Sequence, residues 1–287
     1  MAAAVLHPDE IARIERLALG ADRRVPGSAA GPHRSWARGR SLDVVDWREY
    51  QPGDDPRTID VQAWARLDQV LVRLYEADVD LRVQLVVDTS ASMGIGGKHR
   101  QAVRVAAALA VAALVRNETV NVCTLADPVP RRFRGRGALA AVLELAGSWH
   151  AEGPTPLVEQ ARRLGATTRR AGLVVVVSDF LTPEALDGID RLAARREQVV
   201  AVQVTCAEDE DPDVLGEVQL VDVESGERVE VDLNPSVVAA FRIRRRAASR
   251  ALSTRLARHG GLLLQVDAAE DLVAEVLPRL VARGMLR

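Results

Sequence analysis

Two short strings place oxygen-bearing side chains where strand-like runs end. Asp88-Thr89-Ser90-Ala91-Ser92 directly follows the apolar run 81–87, and Ser178-Asp179 directly follows the β-branched run 173–177. A third candidate, Thr155, lies between Pro154 and Pro156 on a loop that opens a helix-like stretch. If the two runs are neighbours in a parallel sheet, Asp88, Ser90, Ser92, Thr155 and Asp179 emerge at one edge, as two carboxylates and three hydroxyls. Hard oxygen donors of this kind suit Mg²⁺ or Mn²⁺, which accept octahedral oxygen shells and keep some water. Zinc does not suit the set, which contains no His or Cys. The competing reading is simple capping, since Asp and Ser after a strand commonly start a helix. The order of strand, DxSxS, helix, loop threonine, strand and aspartate is what favours a ligand set over caps. Gly94-Ile95-Gly96-Gly97 then allows a sharp backbone bend beside it.

The elements needed to position these residues are readable in the pattern. Residues 8–19 carry Ile11, Ile14, Leu17 and Ala18 at helical spacing. Residues 20–39 are rich in Gly, Pro, Ser and Arg and form an irregular connection. After residue 80 the text becomes regular, with strands predicted over 81–87, 119–125, 173–177, 199–205 and 261–266. Helices are predicted over 98–116, 137–149, 157–164, 183–196 and 270–283. Such alternation builds βαβ units and a doubly wound, mostly parallel α/β sheet flanked by helices. A hairpin over 217–223 and 228–232 interrupts it, and Asn234-Pro235 supplies the cap and first-turn proline of a long helix ending near Gly260. The organisation expected is an N-terminal helix and flexible connection (1–39), an irregular/β segment packing on the sheet domain (40–80), and the α/β domain (81–287) with its hairpin near 217–233.

Composition removes several classes of function. The 287 residues carry 38 basic and 40 acidic side chains, so the basic excess of a nucleic-acid binder is missing. Aromatics are 3%, too few for a base-stacking platform. Among the basic residues Lys98 is the single lysine. Cys123 and Cys206 each lie in or next to an apolar run and read as small buried hydrophobes of a reducing compartment. The N-terminus lacks the charge order of a signal peptide, and the longest apolar run, 105–115, is too short for a bilayer. A cytoplasmic protein with no membrane span is expected.

Other features attract blander readings. The acidic run 208–213 lacks the spacing and glycine of a calcium loop and is expected to be solvated. Arg244, Arg245 and Arg246 point around a helix rather than along one face, which predicts ordinary surface. Asp54, Asp55, Arg57, Asp60 and Arg66 surround a Pro-Gly turn and could form a charge-assisted network. No Walker A loop, G-x-S-x-G elbow or H-E-x-x-H string occurs. The strand–Asp88 arrangement also resembles that of phosphoaspartate hydrolases of the haloacid dehalogenase type, but that family uses a second Asp two residues after the nucleophile as general acid, and here Ser90 stands there.

The set Asp88, Ser90, Ser92, Thr155 and Asp179 resembles the metal-ion-dependent adhesion site of von Willebrand factor type A domains. Upstream, Tyr50-Gln-Pro-Gly-Asp-Asp-Pro-Arg57, Ile59-Asp60, Ala65-Arg66 and Val72-Arg73 resemble the signature of the bacterial "domain of unknown function 58" family. In that signature Val61 replaces the usual tryptophan, with Trp64 nearby. The resemblance implies a type A-like fold, a bound Mg²⁺ or Mn²⁺, and an open coordination position for an acidic side chain of a protein partner. It also implies the company of MoxR-type AAA ATPases. The expectation is a metal-dependent protein–protein interaction module rather than an enzyme. The alternatives are a Mg²⁺-dependent phosphatase-like enzyme using Asp88 and a structural module with a vestigial metal site.

Overall fold

Runs of Val and Leu too short for helices and too apolar for exposed strands dictate a sheet covered on both faces. The computed structural model describes residues 4–20, 44–52, 54–75, 82–154, 156–167, 172–194, 198–209 and 214–283. The chain forms two units, Met1–Arg24 with Leu81–Arg287, and Val25–Asp80.

In the larger unit, α1 (Pro8–Gly20) precedes β3 (Arg82–Val87), α3 (Lys98–Val115), β4 (Thr119–Thr124), β5 (Arg131–Arg134) and α4 (Leu139–Gly147). These are followed by α5 (Leu157–Thr167), β6 (Leu173–Ser178), α6 (Ala185–Ala193) and β7 (Gln198–Thr205). The hairpin β8 (Gly216–Val221) and β9 (Arg228–Leu233) leads into α7 (Pro235–Arg258), β10 (Leu262–Asp267) and α8 (Leu277–Ala282). The smaller unit contributes β1 (Val44–Glu49), α2 (Val61–Leu67) and β2 (Leu71–Tyr75).

The central sheet runs β10-β7-β6-β3-β4-β5, parallel except for β5 at one edge. Its two faces feed two cores in strict alternation. Val83, Leu85, Val87, Val175, Val177, Val200 and Val202 face the core built with α3, whereas Val86, Val174, Val176, Val199 and Ala201 face the one built with α5, α6 and α7. A mostly parallel sheet with helices on both sides is the doubly wound α/β architecture that the pattern predicts.

Nearly all of α3 is buried, because the sheet lies on one side and α1 and α4 lie on the other. Its alanine-rich body lets these layers approach closely, and a helix apolar all round belongs inside. On α1, Ile14 is fully buried and Glu10 pairs with Arg104 of α3.

Three expectations need adjustment. Strand β5 was not anticipated: Arg131-Arg132-Phe133-Arg134 is too charged to signal a strand, and it survives as an edge paired only with β4. The helix expected over 270–283 begins as a π turn, Leu272–Val276, before α8. Pro278, which has no N–H to give, sits where the ordinary ladder would resume. In the smaller unit the charge network centres on Arg48, which donates through both terminal nitrogens to Asp54 (2.8 and 2.6 Å). There Asp55 and Asp60 serve as helix caps, and Asp60 also accepts from the Trp47 indole at 2.9 Å.

Candidate functional site

Strand β3 pairs in parallel with both β4 and β6, but the chain leaves it toward β4 and returns on the other side as β6. The ends of β3 and β6 therefore flank a switch point, where open parallel sheets leave a crevice. Val87 lies opposite Val177 in register, which sets Asp88 beside Ser178 and Asp179. The backbone N–H of Asp88 donates to the Val177 carbonyl at 2.8 Å and closes this junction.

Four of the five predicted site residues fall among the described ones. Asp88 is fully buried, and its Oδ1 accepts from the Ser90 N–H (2.9 Å) while its Oδ2 accepts from the Ser178 hydroxyl (2.5 Å). The Ser90 and Ser92 hydroxyl oxygens are 3.1 Å apart. Thr155 lies outside the described residues. The loop leading to it is zipped onto the first string, with Glu152 N–H donating to Thr89 O and Ala91 N–H to Gly153 O, both at 2.8 Å. Asp179 is buried, its Oδ1 accepting from Leu181 N–H (3.2 Å), and Phe180 follows it in the left-handed region at φ 54°.

The two carboxylates have different company. Lys98, the first residue of α3, is fully buried and places its ammonium 2.8 Å from Asp179 and 3.0 Å from Asp209. Burial alone would push the Lys98 ammonium down, but the two aspartates outweigh it and the net direction is up. Arg245 of α7 continues the chain of charges, donating to the Asp209 carbonyl at 3.0 Å and lying 3.5 Å from its carboxylate.

No Lys, Arg or His side chain among the described residues lies within ion-pair distance of Asp88. Burial raises its carboxyl to about 6; the Ser178 and Ser90 hydrogen bonds pull the other way, and the charge of Asp179 adds to the rise.

The glycine turn is required where it stands. Gly96 has φ 58°, and a Cβ there would come within 2.4 Å of both Cys206 Sγ and Glu208 Oε2. It lets the 91–97 turn lie against the short helix 207–209 that carries Asp209.

This arrangement fits a small divalent cation at the Asp88 end. In an octahedral shell with bonds of about 2.1 Å, adjacent oxygens are about 3.0 Å apart. The Ser90–Ser92 separation matches such an edge, and the neighbouring carboxylate has no counter-charge within ion-pair distance among the described residues. Among the described residues, no three His, Cys, Asp or Glu side chains converge to hold a metal, so any ion here would depend on hydroxyls.

Sequence reasoning missed Ser178, Lys98 and Asp209. The acidic run expected to be solvated in fact buries Asp209, and Arg245, expected as ordinary surface, is half-buried against it. The single lysine of an arginine-rich chain was the available signal. Its partners lie 81 and 111 residues away, beyond any local pattern.

Comparison with known proteins adds kinship. Curated relatives named "Uncharacterized protein Mb1516" from Mycobacterium bovis and "Uncharacterized protein Rv1480" from Mycobacterium tuberculosis are each 30% identical over 308 aligned positions, covering 98% of this chain and 96% of theirs. Among solved structures, the conserved hypothetical protein BatB from Bacteroides thetaiotaomicron aligns with a TM-score of 0.44 and 15% identity, covering 71% of this chain and 98% of that one. An aerotolerance-related membrane protein from Bacteroides fragilis aligns over the same shares with a TM-score of 0.42 and 16% identity. In the present chain, no helix among the described residues is long and apolar enough to cross a membrane. The model described as "Protein of unknown function DUF58" matches residues 46–252, and the chain belongs to that family.

Proposed function

We propose that this protein is a divalent-cation-dependent protein-binding module. Asp88, Ser90 and Ser92 would hold Mg²⁺ or Mn²⁺, with Thr155 and Asp179 completing the set from the adjoining loops. When bound, the ion supplies an electrophilic position that an acidic side chain of a partner can fill. The chain's own residues do the rest: Ser178 and the Ser90 N–H fix the Asp88 carboxylate, and Lys98 holds Asp179 still.

The observation that carries this reading is the fully buried Asp88 carboxylate, with no cationic partner among the described residues, beside two hydroxyls at ligand-edge spacing. A carboxylate kept dry without a counter-charge is costly, and an external cation offsets that cost. The resemblance to metal-ion-dependent adhesion sites supports the same residues. A MoxR-type AAA ATPase, or a client of one, is the partner this resemblance favours.

A thermal melt tests the metal and a capture assay tests the partner. At pH 7.5 and about 10 mM Mg²⁺, a dissociation constant near 1 mM raises the midpoint by about 2–4 °C. Asp88→Ala abolishes the rise. Immobilised protein retains the ATPase in Mg²⁺ and releases it in chelator. No shift with either Mg²⁺ or Mn²⁺, together with chelator-insensitive capture, overturns the proposal.

A further inference from the structure

Beside the outer strand β10, between α7 and α8, lies a cavity of about 530 Å³ lined by six arginines: Arg242, Arg245, Arg246, Arg250, Arg279 and Arg283. Four come from α7, where Arg242, Arg246 and Arg250 recur every four residues and share one face; two come from α8 and its end. Two of the six are compensated from within: Arg279 pairs with Glu270, and Arg245 with Asp209. Arg246, Arg250 and Arg283 have no carboxylate partner among the described residues. Of the neutral polar side chains lining it, Ser249 and Gln265 are engaged, both donating to Gln203 Oε1, at 2.9 and 3.1 Å, and Thr205 and Ser253 add two hydroxyls. What the cavity chiefly offers a ligand is guanidinium. Like charges crowded into one concavity repel each other, and a bound anion removes that repulsion.

We infer that this cavity is a binding site for a compact polyanion bearing at least two phosphoryl groups. Planar guanidinium forks match phosphate oxygens in pairs, and arginine rather than lysine is the residue suited to that geometry. The volume is that of a small-molecule site. An acidic peptide is the lesser candidate: Arg279 also donates to the Gln265 carbonyl of β10 at 3.0 Å, so an extended chain adding at this edge would have to displace it. The inference is independent of the metal reading, because none of the six arginines belongs to the Asp88 set.

The test is calorimetric titration of the full chain with inorganic pyrophosphate and with ATP, in chelator, at fixed ionic strength. Saturable binding is expected with a dissociation constant below 1 mM. The double variant Arg246→Gln/Arg250→Gln weakens it at least 10-fold, while Arg162→Gln/Arg163→Gln, an equal charge loss on α5, leaves it unchanged. Circular dichroism melts of both variants confirm that each is folded. Pyrophosphate and ATP binding alike assigns the site to the phosphate chain; ATP alone adds a contribution from the nucleoside. Absence of saturation for both, equal weakening by the α5 variant, or preferential binding of a poly-glutamate peptide over pyrophosphate overturns the inference.

Discussion

Asp88 and Asp179 each lie one step past the end of adjacent parallel strands and each is buried, yet the chain treats them oppositely. Asp179 receives an ammonium from within the protein, shared with Asp209. Among the described residues Asp88 receives only neutral hydrogen bonds. The difference teaches that this rim is electrostatically uneven: folding gives one carboxylate a cation, whereas the other has none within ion-pair distance among the described residues.

The most damaging way to break the contrast is to remove the internal cation. Lys98→Met takes the ammonium from buried Asp179 and leaves Asp209 to Arg245 at 3.5 Å, and should cost about 3–5 kcal/mol, read from urea unfolding at pH 7. A loss below about 1 kcal/mol would mean that the pair is not the anchor described.

The reverse experiment acts on Asp88. Its folded pKa lies above the ordinary value, so the folded state holds the proton more tightly than the unfolded chain does. The penalty for the charged form is absent below pH 3.8, grows as pH rises, and is complete above about 6. In chelator, Asp88→Asn should therefore stabilise the protein at pH 7.5 by up to about 3 kcal/mol and do nothing near pH 3.5, by denaturant midpoints at both pH values. A gain that is the same at both would detach it from charge burial.

The mildest change sharpens the picture. Ser92 is only half-buried, so Ser92→Ala should alter stability in chelator by less than about 0.5 kcal/mol. The same variant should reduce the Mg²⁺-induced rise in melting temperature. An unchanged rise would exclude Ser92 from the ion's shell.

Much of the scaffold was readable beforehand because it rests on local chemistry. Valine runs of strand length mark β3, β6 and β7, and Asn234 caps α7 with its side chain accepting from Ser236 and Val237, as the Asn-Pro pair predicts. The convergence of 88–92 with 178–179 followed from strand ends and sheet parallelism. The charge partners were not readable, since Lys98, Asp179, Asp209 and Arg245 are joined only by folding. An acidic run and an arginine run both look like surface until the short helix 207–209 turns one aspartate inward. Strand β5 escaped notice for the opposite reason: its place is set by pairing with β4, against its own composition.

The seclusion of the single lysine has a practical consequence. Every side-chain cation on the exterior is a guanidinium or an imidazole, so amine-acylating reagents find no lysine on the native surface. Acylation at residue 98 can proceed only when the helix start beside Asp179 opens. Its rate, followed by mass spectrometry of the one lysine-containing peptide, becomes a built-in clock for local opening of the rim.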